Sequence, residues 1–89
     1  MPTIAYFYGI AISMYYGDHN PPHFHARYGR AKCIVRISDG QIIAGELPPT
    51  AARIVREWAL AHRAELEQNW ERGQAQVPLE RIAGPDGQG

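Results

Sequence analysis

From His23 to Tyr28 the chain alternates between two kinds of residue. Phe24, Ala26 and Tyr28 fall on one side of an extended strand, and His23, His25 and Arg27 fall on the other. Gly29-Arg30 follows, with glycine at the first central position of a two-residue turn, as a type II′ hairpin requires. Ala31 to Ser38 then supplies a second β-prone run. This hairpin constrains the fold more than any other stretch, because a one-residue slip would turn every apolar side chain to the wrong face. The predicted register sets Arg27 opposite Lys32, His25 opposite Ile34, His23 opposite Arg36 and Phe24 opposite Val35. Phe24, Ala26 and Tyr28 are expected to face the core, and the other face gathers His23, His25, Arg27, Lys32 and Arg36.

The surroundings extend the hairpin into a sheet. Thr3 to Tyr8 is rich in aromatic and β-branched residues, and Ile10, Ile12, Met14 and Tyr16 recur at period two, with Gly9 near a tight turn between the two runs. Asp39-Gly40 is a further hairpin signal and precedes a strand over Gln41 to Gly45. Between the second and third strands, Gly17-Asp18-His19-Asn20-Pro21-Pro22 reads as a stiff loop, since two prolines hold the chain extended and donate no backbone hydrogen bonds.

Leu47-Pro48-Pro49 ends the β-rich half. Beyond it, Val55, Trp58, Ala59, His62, Leu66 and Trp70 recur at helical spacing until Gly73, which predicts one long helix, bent near His62. The tryptophans read as core or dimer contacts. Val77 to Ile82 is expected to form a short final strand or a docked arm. The expected fold class is therefore α+β: an antiparallel sheet of about five strands, formed by the N-terminal half and packed against one long C-terminal helix. Residues 1–83 form a single domain, and the Gly-rich residues 84–89 form a disordered tail.

At 89 residues, 45% of them hydrophobic, the chain supports one core, and a homodimer would add to its margin. Nine basic residues balance nine acidic ones, which leaves no global field for loose binding to polyanions, so any such partner must meet a local patch. The one cysteine, Cys33, is expected in the core; it forms no intramolecular disulfide and fits a cytoplasmic location. There is no basic, apolar leader and no run of eighteen apolar residues, so neither secretion nor a membrane partner is expected.

Three readings of the histidine-rich window stand open on the residues. Histidines at i and i+2 can direct both rings at one ion. His23 and His25 are candidate metal ligands on that ground, with His19 arriving from the loop as a third and Asp18 as an outer partner or fourth ligand, around a divalent transition metal such as zinc. Alternatively, Arg27 and Arg36 grip phosphate oxygens while His23 or His25 moves a proton at a ribose hydroxyl or leaving group. That makes His23, His25 and Arg27 the candidate catalytic residues and RNA or another phosphate-bearing molecule the ligand, with Tyr6, Tyr8, Tyr15, Tyr16 and Tyr28 as base-stacking surfaces. In the third reading the histidines only brace the Pro-Pro turn by hydrogen bonds to loop carbonyls, and the protein is a non-catalytic interaction module that docks a partner through a sheet edge or its Trp-bearing helix.

The phrase Asp18-His19-Asn20-Pro21-Pro22-His23-Phe24-His25-Ala26-Arg27-Tyr28-Gly29 resembles the signature of the bacterial domain-of-unknown-function family 4160. Met1-Pro2-Thr3-Ile4, Gly45-Glu46-Leu47-Pro48, Trp58, His62-Arg63 and Asn69-Trp70 extend the resemblance over nearly the whole chain. The resemblance implies no established activity. It does imply a small protein often encoded beside another small domain, an arrangement that suggests a toxin-like component of a two-gene module with a partner protein from the neighbouring gene.

Overall fold

Five strands succeed one another along the chain and stand side by side in that order: β1 (Thr3–Phe7), β2 (Ile10–Ser13), β3 (His23–Tyr28), β4 (Ala31–Arg36) and β5 (Ile42–Glu46). All neighbours pair antiparallel, and the computed structural model describes residues 2–87. The β3–β4 hairpin has the expected register, with His23 opposite Arg36, His25 opposite Ile34 and Arg27 opposite Lys32. Gly29 takes φ +60°, the sign its place in the turn demands.

Alternation builds the core. Ile12, Ala26 and Cys33 are nearly inaccessible on one side of the sheet, together with Phe7, Phe24 and Val35. Trp58 closes this layer, its ring centroid 5.0 Å from Phe7 and 5.9 Å from Phe24. Tyr28, expected in the same row, is exposed instead: it ends the strand beside Gly9. Gly45 in β5 has φ +72°, and a Cβ there would run into the Lys32 carbonyl oxygen, so the edge strand can approach β4 only with glycine at this position.

The expected single long helix is two, α1 (Pro49–Ala61) and α2 (Arg63–Ala75). An unbroken helix over this span would run about 40 Å at 1.5 Å per residue, longer than the molecule's greatest extent of 33 Å. The break falls at His62, whose backbone leaves the helical region (φ −116°, ψ 26°) while its Nδ1 lies 2.6 Å from Glu65 in the first turn of α2. After α2 the chain returns as a docked arm without a strand. Asn69 bonds the backbone of Glu80 through both its oxygen and its nitrogen, the Ile82 N–H donates to the Ile4 carbonyl, and Trp58 Nε1 donates to the Ala83 carbonyl. Of the expected tail, Gln88 and Gly89 lie outside the described residues. No helix among the described residues is long and apolar enough to cross a membrane.

Candidate functional site

Two structures meet at the open face of the sheet: the Gly17–Pro22 loop and the polar side of β3. The loop is anchored on the far end of α2, where the Gly17 N–H donates to the Gly73 carbonyl and Gln74 Nε2 donates to the Asp18 carbonyl. At its other end the Pro22 carbonyl accepts from the Ile37 N–H. Held at both ends, the loop turns the Asp18 side chain towards β3. Oδ1 accepts the His19 N–H at 2.9 Å, while Oδ2 lies 2.9 Å from His23 Nε2 and 3.6 Å from His25 Nε2.

His23 and His25 occupy different environments although they share a strand face. His23 is only 3% exposed, because α2 lays Trp70 against it at a ring separation of 5.2 Å. Its Nδ1 lies 2.7 Å from the Pro21 carbonyl, which can only accept, so Nδ1 carries a proton. His25 is partly open, packs edge-on against Tyr15 at 4.7 Å, and its Nε2 is buried without a hydrogen-bond partner. Burial holds the His25 ring below the usual imidazole pKa; the Asp18 carboxylate opposes this and His23 reinforces it. Burial also works against ionisation of Asp18, but the His19 N–H and the His23 and His25 rings outweigh it and hold its carboxyl below the ordinary range.

Asp18, His23 and His25 form a cluster of metal-ligand type, with one ligand atom from each lying within 4.8 Å of the others. His19, the third ligand expected from the loop, stands outside it: its side chain is 84% exposed and its Nε2 lies 3.8 Å from Asp18 Oδ1. Asp18 takes the place that spacing alone assigned to His19.

Beyond His25 the open face becomes a groove of about 370 Å³, lined by Ser13, Tyr15, His25, Arg27, Lys32 and Ile34 with Ala44 and Gly45 of β5. Its floor takes in the cross-strand row Ser13–His25–Ile34–Ala44 and the pair Arg27–Lys32, the middle of the row Ala11–Arg27–Lys32–Glu46. Among the described residues neither Arg27 nor Lys32 makes an ion pair, Glu46 opposite Lys32 included. Arg36, counted in the same patch from the sequence, is diverted: its guanidinium grips both carboxylate oxygens of Asp39 across the following turn. Ser13 was not foreseen. It alternates with Ile12 and Met14 and so belongs to the open face, but its position beside His25 depends on the β2–β3 register, which the nine-residue connection over 14–22 does not fix.

The family model described as "Domain of unknown function (DUF4160)" matches residues 9–71, from the start of β2 through most of α2, and so takes in the loop, the cluster and the groove. No curated protein and no solved structure matches the chain.

Proposed function

The chain belongs to the DUF4160 family, and from that premise we propose that its open sheet face binds RNA. The Asp18–His23–His25 cluster is the reactive end of that surface, and the protein acts as a toxin-like component of a two-gene module. The observation that carries this reading is the juxtaposition in one groove of Arg27 and Lys32, both without ion-pair partners, and of His25 with an unpartnered Nε2. Phosphate oxygens would satisfy the two cations, Arg27 as a planar fork and Lys32 as a point charge. The groove volume lies in the range of small-ligand clefts, about 300–1,000 Å³.

The tyrosines add to the case. All five are between 42% and 57% exposed, when rings of this size are ordinarily drawn into a small core. Tyr15 stands in the groove, and Tyr6 pairs with Ala11 at the end of the row that holds Arg27 and Lys32. Exposed rings beside cations are the elements of sequence-tolerant single-strand binding, where bases stack and phosphates pair. The interaction-module reading is weaker, because Trp58 and Trp70 are spent inside the chain's own fold. A partner from a neighbouring gene would silence the protein by covering the same groove. An RNA ligand and a lone thiol both suit the cytoplasm.

The test is growth of a bacterial host on inducing this chain without its gene neighbour. Arrest is expected, relieved by His25→Ala and by Arg27→Gln in variants shown to melt at the wild-type temperature. Normal growth with the wild-type chain, or arrest undiminished in both variants, would overturn the reading.

A further inference from the structure

We infer that Asp18, His23 and His25 bind one divalent transition-metal ion of the zinc class. Two nitrogens confront one oxygen here: His23 Nε2 and His25 Nε2 both face Asp18 Oδ2, at 2.9 and 3.6 Å. At 3.6 Å the second contact is too long for a hydrogen bond, and His25 Nε2 is the buried atom left without a partner. An ion that accepts a lone pair from each of the three satisfies all of them together.

The two contacts to Asp18 suit that occupant. Ligands about 2.1 Å from an ion stand about 3.0 Å apart at a right angle and about 3.4 Å apart at the tetrahedral angle, and the 2.9 and 3.6 Å contacts of Asp18 bracket these values; the three donors lie within 4.8 Å of one another, and an ion would draw the two histidines together. The surroundings are also those of a metal-binding histidine. The Pro21 carbonyl takes the Nδ1 proton of His23 and so turns Nε2 inward as the ligand atom. Trp70 holds the ring in that plane from behind. Two imidazoles and one carboxylate are a donor set for zinc or iron(II), with positions left for water or ligand, and His25 opens the cluster to the groove. The ion deepens the RNA reading, since it would present a Lewis acid to a phosphate held by Arg27 and Lys32, but the ligand geometry stands without it.

The experiment is calorimetric titration of Zn²⁺ into tag-free, chelator-stripped protein, repeated with Co²⁺ to read its visible bands. One ion per chain is expected. Asp18→Asn and His25→Gln should each weaken binding at least about 10-fold, and His19→Ala should leave it unchanged. Less than half an equivalent bound, wild-type affinity in both ligand variants, or an equal loss in His19→Ala would overturn the inference. RNA binding measured in parallel with excess chelator separates the two claims. RNA binding in chelator together with failure of the metal titration removes the metal alone, and metal binding without RNA binding removes the RNA reading alone.

Discussion

Neighbouring residues on β4 meet opposite surroundings: Lys32 and Ile34 face the groove, while Cys33 between them is 4% exposed in the core. Burial pushes the Cys33 thiol up to about 11. The reactive species is the thiolate, so at pH 8 the native protein should hold on the order of 100-fold less of it than the unfolded chain. Labelling with a thiol reagent should therefore be slow in buffer and fast in denaturant; equal rates would contradict the core placement. This much was legible, since strict alternation beside Lys32 assigns Cys33 its side. The meeting of Asp18 with His23 and His25 was legible only in part, since spacing alone makes Asp18 an outer partner or fourth ligand behind His19. Spacing brought three histidines into one window, but the direction of each side chain depends on the path through Pro21 and Pro22 and on anchoring by Gly73 and Gln74, more than fifty residues away. Arg36 was misassigned for a local reason that the sequence did contain: Asp39 stands three residues on, within reach across the turn.

At the level of elements, the β3–β4 hairpin could be read because its turn has two residues and one glycine of fixed sign, which leaves a single register. The helical half could not be read so fully. Periodicity runs through His62 without interruption, which suggests a bend there and not the full break between two helices. The break lets α1 close the core through Trp58 while α2 reaches the loop and covers His23 with Trp70. Trp70→Ala should therefore act twice. As a large-to-small change at a buried site it should cost about 3–5 kcal/mol, measurable by urea unfolding. In folded protein it should also loosen His23, seen as altered chemical shifts of the His23 and His25 rings. A cost below about 1 kcal/mol would show that α2 is not the support of the cluster.

Over the whole molecule, charge and fold divide the work. Nine cations and nine anions cancel, so the proposed attraction to RNA would rest on Arg27 and Lys32, which make no ion pair among the described residues, not on a global field. Two phosphate contacts on a single strand would give a shallow salt dependence, a slope of about −1.4 in log affinity against log salt. The most direct measurement is titration of a short fluorescent single-stranded RNA, in chelator and from about 50 mM salt upward, against wild-type protein and the Arg27→Gln/Lys32→Gln variant. The account predicts saturable binding by the wild type with that slope, and at least about 10-fold weaker, nearly salt-independent binding by a variant of unchanged stability. Equal binding by the two proteins, or none by the wild type, would contradict it.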